Sequence, residues 1–316
     1  MLSNLSKLSD DPSGCFPDQT SSSECSEDVW LPGRLQDQLG PKVRPIRPGR
    51  QPRPGGEPLV RLVNLSKSFG DVRVLGGISL DLLRGQTTVV LGPSGTGKSV
   101  LIKHIVGLLR PDSGEVYFED QRVDLMSEAE LIEIRKKVGF LFQMGALFDS
   151  LNVGQNVAFP LVEHTQLTSS QRNDRVSRVL HMVGLSGMES KMPAELSGGQ
   201  RKRVALARAI VLEPTMVLYD EPTTGLDPIR ADLINELIIA LSERLGITSV
   251  VVTHDMASAA KIADRMVLLY HGHIVCDGDP ETFRQADNEL VQRFVRGRAD
   301  LVDLDLIRRG MEVETP

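Results

Sequence analysis

The stretch Gly92-Pro93-Ser94-Gly95-Thr96-Gly97-Lys98-Ser99 constrains this chain more than any other. It fits the pattern G-x-x-x-x-G-K-[ST], which has physical force in one setting, with a strand running in and a helix running out. The sequence supplies both: an apolar, β-rich run at Thr87–Leu91 and a helical pattern over Lys98–Leu109. Glycines let backbone N–H groups turn inward around phosphates, and the start of the following helix adds its dipole. Lys98 is therefore expected to reach the β- and γ-phosphates of ATP, and the Ser99 hydroxyl to ligate Mg²⁺, with Val100 beside them. A glycine-rich turn that only reverses the chain is the alternative.

The surroundings set the fold class. From Leu59 onward short β-rich runs alternate with helical patterns. Strands are predicted at Thr87–Leu91, Val138–Gln143, Met216–Asp220, Thr248–Thr253 and Met266–Tyr270. Helices are predicted at Lys98–Leu109, Arg172–Val183, Ser197–Leu212, Pro228–Leu245 and Met256–Ala263. Ser127 and Glu130 fit a capping box that opens a further helix, Glu128–Lys137. Buried strands alternating with helices imply an α/β domain with a largely parallel sheet core. The run Val60–Leu83 reads as antiparallel and should add a small β subdomain. A chain of 316 residues holds one large domain or two small ones, and no internal repeat is visible.

Before Pro58 the composition changes. Nine of the 18 prolines fall in residues 1–58, together with Ser21-Ser22-Ser23 and Gly55-Gly56, and apolar periodicity is absent. Such a segment buries too little surface to offset its ordering entropy, so it is expected to be a disordered tail. Acids dominate early (Asp10, Asp11, Asp18), then bases (Lys42, Arg44, Arg47, Arg50, Arg53). It reads either as a solvated linker or as a basic strip touching anionic lipid or a partner. The first ten residues lack the layout of a secretory signal, and the early acids argue against an organelle transit peptide. Cys15, Cys25 and Cys276 are too scattered for a disulfide framework, which suggests a reducing compartment. A net charge of −6 argues against a surface built for nucleic acid. No run approaches the ~18 apolar residues that span a bilayer, so a membrane role must come through a partner.

Two further motifs narrow the chemistry. Met216–Asp220 is a buried strand followed at once by Glu221. An apolar strand ending in acids is often only a surface turn. Beside the phosphate loop, Asp220 would hold Mg²⁺ through water, leaving Glu221 to polarise an attacking water. Leu196-Ser197-Gly198-Gly199-Gln200 opens a helix with Ser as N-cap. Two glycines entering a helix are costly unless something must approach the backbone closely.

This LSGGQ sequence, with the phosphate loop and the paired acids in the same order, resembles the ATP-binding cassette (ABC) ATPases over about 59–283. The resemblance implies an ABC-type P-loop ATPase with a largely parallel core, an antiparallel β subdomain and a helical signature subdomain at about 144–212. Residues 284–316 would follow as a helical extension and tail, with helix patterns at Asn288–Arg298 and Asp303–Arg309. In that family the signature of one subunit caps the nucleotide of the other, so Ser197, Gly198, Gly199 and Gln200 would act in trans across a homodimer. Gln143 resembles the loop glutamine that joins Mg²⁺ to the transmembrane partner. Gly225-Leu226-Asp227 resembles the loop linking the two sites, and His254 the γ-phosphate histidine. Phe69 falls where the family stacks an aromatic on adenine, although a core or turn phenylalanine fits there too. Arg201-Lys202-Arg203 reads as a solvated helix face, and His271-Gly272-His273 as a hairpin tip.

The segment Gly145-Ala146-Leu147-Phe148-Asp149-Ser150-Leu151, followed by Asn156-Val157-Ala158-Phe159-Pro160-Leu161, resembles the Mla/Mce-type lipid transporters. That implies a catalytic subunit at the cytoplasmic face of the inner membrane, or in a chloroplast stroma. It would work with an integral membrane permease and a periplasmic or membrane-anchored lipid-binding subunit, and without nucleic acid. An ATPase for another solute, or a non-transport ABC protein, are the competing readings.

The composition of the tail generates the first prediction. Deleting residues 1–55 should leave folding and ATPase activity nearly unchanged. Trp30 is the only tryptophan, so intrinsic emission should be that of a solvated indole. A blue-shifted spectrum from the intact chain would show the tail docked.

Overall fold

The computed structural model describes residues 56–298. The sequence readings for Trp30, Cys15, Cys25, the tail up to residue 55 and the helix Asp303–Arg309 lie outside them. Within them the chain is an α/β structure with two sheets.

The larger sheet has six strands among the described residues. We number strands and helices in chain order as far as they are used: β3 (Thr87–Leu91), β6 (Val138–Leu141), β7 (Met216–Asp220), β8 (Thr248–Thr253), β9 (Arg265–Tyr270) and β10 (His273–Gly278). The order across the sheet is β10-β9-β3-β8-β7-β6, with every neighbouring pair parallel except β9–β10. These strands read as continuous apolar runs because both faces are covered. Alternate residues feed two cores. Val89, Leu91, Val217, Tyr219, Val251 and Leu268 pack on one side; Val90, Leu218, Val250, Val252, Val267 and Leu269 pack on the other.

The smaller sheet is antiparallel. It is built on β1 (Pro58–Phe69) and β2 (Val72–Leu83), with β4 (Ser113–Phe118) and β5 (Gln121–Arg122) in the order β2-β1-β4-β5. It supplies Leu59, Leu62, Leu65, Leu75, Ile78 and Leu80 to the second core. His271 and Gly272 both have positive φ, as a two-residue hairpin turn requires, so the His-Gly-His segment is the expected tip. That tip is also tied down: the Gly76 N–H donates to the Gly272 carbonyl at 2.8 Å.

Helix ends follow local chemistry. The helix after the phosphate loop, α1 (Lys98–Ile105), stops short of Leu109 because Gly107 takes a left-handed φ of 63° and the Leu108 N–H turns back to Lys103. The helix α2 (Glu128–Lys136) opens with the expected capping box of Ser127 and Glu130. Sequence periodicity missed α3 (Val153–His164), which contains Pro160. Its signal was another capping box, Asn152 with Gln155. The next helix, α4 (Ser169–Met182), starts earlier than predicted for the same kind of reason, with Thr168 and Gln171 as its box.

The signature helix, α5 (Gly198–Ile210), packs closely on β6. A Cβ added at Gly139 would sit 2.4 Å from the Ala209 carbonyl oxygen. Gly139→Ala should therefore force helix and strand apart, costing about 1–3 kcal/mol. At ~2–4 °C per kcal/mol the melting temperature should fall by several degrees. An unchanged melting curve would show that the contact yields freely.

Candidate active site

The phosphate-loop segment leaves β3 in the middle of the sheet and is gripped from two sides. A Cβ on Gly92 would lie 2.2 Å from the Leu269 carbonyl oxygen, and one on Gly97 would lie 2.8 Å from Val74 Cγ1. Glycine is required there because β9 and β2 approach so closely. Thr96 Oγ1 donates to the Pro93 carbonyl at 2.9 Å and fixes the turn. Ser94 and Gly95, at the rim, are exposed, and Val100 packs against the second core.

Lys98 is buried. Its Nζ donates to the Gly92 and Pro93 carbonyls at 2.8 and 2.9 Å and stands 3.7 Å from Glu221 Oε1. Burial lowers its pKa, against the opposing pull of Glu221 and Asp220. Ser99 Oγ donates to Asp220 Oδ1 at 2.6 Å. Burial raises the Asp220 pKa, opposed by that hydrogen bond and by Lys103 and Lys98. A hydroxyl and a carboxylate oxygen side by side at a helix start are the hard donors that suit Mg²⁺.

The two neighbouring acids are turned to different work. Asp220 ends β7, whereas Glu221 leaves it with a left-handed φ of 49°. A non-glycine residue there costs roughly 1–3 kcal/mol, so the surroundings must hold it. They do. The Glu221 N–H donates to the Val252 carbonyl at 2.9 Å, and Thr224 Oγ1 donates to Glu221 Oε2 at 3.0 Å. His254 Nδ1 lies 3.1 Å from Glu221 Oε1. His254 and the turn from Thr223 to Leu226 also border an open cavity of about 480 Å³. Asp227 caps the following helix, α6 (Pro228–Leu245), by accepting from the Arg230 N–H at 3.0 Å.

Other predicted residues lie further out. The strand expected to end at Gln143 ends at Leu141, and Gln143 sits exposed in a turn closed by the Gly145 N–H on the Phe142 carbonyl. Phe69 stands exposed at the end of β1, with Lys67 Nζ 5.6 Å from its ring centre. Ser197 is the N-cap of α5, in a reciprocal box with Gln200. Gly198 and Gly199 are uncrowded within the chain. A Cβ on Gly198 would meet only Leu226 Cδ2, at 3.9 Å, and one on Gly199 would first meet Arg230 Cδ, at 3.4 Å.

Two residues of the basic triplet, Lys202 and Arg203, depart from their solvated reading, while Arg201 is exposed as expected. Lys202 is only 7% exposed, and its Nζ donates to the carbonyls of Glu221, Pro222 and Thr224 at 3.2, 2.7 and 2.7 Å. Burial pulls its pKa down to about 8, against the charge of Glu221. Arg203 donates to the Val183 and Gly184 carbonyls, both at 3.1 Å, and Arg201 to the Leu196 carbonyl at 3.0 Å. The sequence offered no sign of this, because the acceptors are backbone carbonyls, which any residue supplies.

A second surface borders β6 and α3. Phe140, Phe142, Phe148, Phe159, Pro160 and Arg208 line a groove of about 350 Å³. Buried Asn156 fixes its rim: its side chain accepts from the Phe148 N–H at 2.9 Å and donates to the Phe148, Leu151 and Asn152 carbonyls. Phe148 is 42% exposed against Phe159, Met144 is 88% exposed, and Leu147 turns into the first core.

A strand–loop–helix with a lysine, a serine and two acids at the ends of parallel strands defines a P-loop ATPase. Comparison with known proteins narrows the class. A family model described as "ABC transporter" matches residues 75–224. The "Probable ribonucleotide transport ATP-binding protein mkl" of Mycobacterium leprae (strain TN) is 44% identical over 239 residues, 76% of this chain and 69% of that protein. The "Intermembrane phospholipid transport system ATP-binding protein MlaF" of Escherichia coli (strain K12) is 42% identical over 242 residues, 77% of this chain and 90% of that one. The solved dimeric, post-hydrolysis ATP-binding cassette MJ0796 bound to ADP and Pi aligns with a TM-score of 0.66 at 34% identity, covering 70% of this chain and 98% of that chain. The chain belongs to the ABC transporter family, as one of its ATP-hydrolysing subunits.

Proposed function

We propose that two copies of this chain hydrolyse ATP between them and that the cycle moves phospholipid between membranes. The observation that carries the site reading is the division of labour between the neighbouring acids, with Asp220 on Ser99 and Glu221 facing Lys98 and His254. The loop from Gly92 to Ser99 binds the phosphates, and Lys98 neutralises the β- and γ-oxygens. Ser99 and Asp220, joined by Gln143, would hold Mg²⁺, which when bound spreads the phosphate charge. Glu221 orients and polarises the attacking water, and His254 positions the γ-phosphate. Phe69 stacks on the adenine. Ser197, Gly198, Gly199 and Gln200 close over the nucleotide of the second copy, with Asp227 at the junction. The uncrowded pair of glycines supports this, because nothing in their own chain demands them.

ATP favours the closed pair only as strongly as it binds closed over open, and hydrolysis removes that bias. The exposed apolar side chains around Phe148 suit a helix of an integral membrane subunit. No described helix is itself long and apolar enough to cross a membrane. We place the chain peripherally at the cytoplasmic face, with 59–283 as the cassette and 144–212 as its helical part. The likeness to MlaF, named for intermembrane phospholipid transport, supports phospholipid as the cargo. A membrane-anchored lipid-binding subunit would complete such a complex. The name of the Mycobacterium leprae relative favours a second reading, an ATPase for another solute.

Glu221→Gln should retain ATP binding while hydrolysis slows by about 10²–10⁴-fold. Mixed with ATP, it should elute as a dimer in gel filtration; wild-type turnover would move the base elsewhere.

Phe148→Asp and Met144→Asp should each leave basal ATPase activity and melting temperature nearly unchanged, yet lose the membrane subunit on purification from native membranes, because each puts a hydrated charge into an apolar contact. Phospholipid should be found in the wild-type complex. Extraction of a different solute instead would favour the second reading. Retained assembly with a collapsed melting temperature would return Phe148 to the core.

A further inference from the structure

We propose that Lys202 is a positioning residue that fastens the start of α5 to the turn carrying Glu221, so that the two move as one body. The inference rests on the reading of Glu221 and of the signature residues given above. An ammonium group has three N–H donors and no acceptor. Those of Lys202 meet three carbonyls, all from the four-residue turn 221–224. Each bond is therefore charge-assisted, and together they fix the turn from one side.

That turn needs fixing. It begins at Glu221 with a left-handed backbone and is closed by a long contact, 3.3 Å, from the Thr224 N–H to the Glu221 carbonyl. The Glu221 carboxylate itself is held by Thr224 Oγ1 and His254. Lys202 holds the backbone from which that carboxylate hangs.

The consequence is a direct link between the two jobs of one chain. Ser197 to Gly199 meet the nucleotide of the second copy, and Lys202 lies one helical turn further along the same helix. When that helix end seats on the partner's nucleotide, the pull passes through Lys202 to the turn that aims this chain's own Glu221. A displaced end lets Glu221 drift from the water it must polarise. The partners of Lys202 Nζ are backbone carbonyls of the turn, so its role is to act through Glu221.

The test uses the full chain as Lys202→Met, which keeps the stem and removes the donors, and Lys202→Gln, which returns two donors. Steady-state kcat and KM, the Kd for ATP and the melting temperature are measured for both, alongside Glu221→Gln. Misplacing a catalytic group by about 1 Å costs on the order of 10²-fold, so kcat of Lys202→Met should fall about 10- to 100-fold. The Kd for ATP should stay within about threefold, and Lys202→Gln should recover part of kcat. If Lys202→Met keeps kcat within about threefold, the inference is wrong. It is equally wrong if the loss tracks the unfolded fraction, or if KM rises while kcat holds. Should Lys202→Met not fold, Lys202→Gln decides alone, and wild-type kcat there overturns the inference. An active Glu221→Gln overturns the base assignment and this inference with it. An inactive Glu221→Gln beside an active Lys202→Met overturns only the role of Lys202.

Discussion

The register of the parallel strands is the constraint on which the site depends. Leu91 pairs with Thr253, Asp220 with Val252, and Leu141 with Tyr219, so each of four strands ends within one residue of its neighbour. The segments that leave them are the phosphate loop, the Glu221 turn, the His254 loop and the turn that holds Gln143. Residues scattered over more than 160 positions of sequence reach one edge because the carboxyl ends of parallel strands all face the same way. A slip of one residue would also exchange the two cores, since alternate side chains feed opposite faces. The apolar alternation that makes the cores therefore also fixes the chemistry at their edge.

That edge concentrates buried charge. Lys98, Lys202, Asp220 and Glu221 are all withdrawn from water. A charge so placed is costly unless hydrogen bonds replace its hydration. Here the replacements are mostly backbone carbonyls and hydroxyls: Gly92 and Pro93 for Lys98, the 221–224 turn for Lys202, Ser99 for Asp220, and Thr224 for Glu221. Neutral dipoles of this kind leave the charges free to act on something else. A tight salt bridge between Lys98 and Glu221 would not, and their 3.7 Å separation leaves each available.

The signature helix joins the two working surfaces. Near its start Lys202 holds the Glu221 turn; at its other end Arg208 Nη2 donates to the Gly145 and Ala146 carbonyls, at 3.0 and 2.8 Å, beside the apolar groove. Six residues of helix span about 9 Å, so groove and site are tied to one short rigid rod. Buried Asn156 and the close contact at Gly139 fix the same region.

The sequence by itself determined the elements whose cause is local. The strands at Thr87–Leu91, Met216–Asp220 and Thr248–Thr253 and the helix Pro228–Leu245 fall at their expected bounds, because apolar runs, proline at a first helical position and a following glycine act within a few residues. The phosphate loop was legible because its glycines and Lys98-Ser99 are contiguous. Three things were decided only by tertiary structure. The helix at Val153–His164 has a local start signal in its capping box, but it runs on through Pro160 with Val153, Val157 and Leu161 buried in the first core. The strand before Gln143 stops two residues early because a turn takes over. Lys202, read as solvated, is enclosed because the acceptors that receive it come from a turn 19 to 22 residues away. Side-chain identity records what a residue can donate; where the matching carbonyls will lie is known only once the strands have set the path of the backbone.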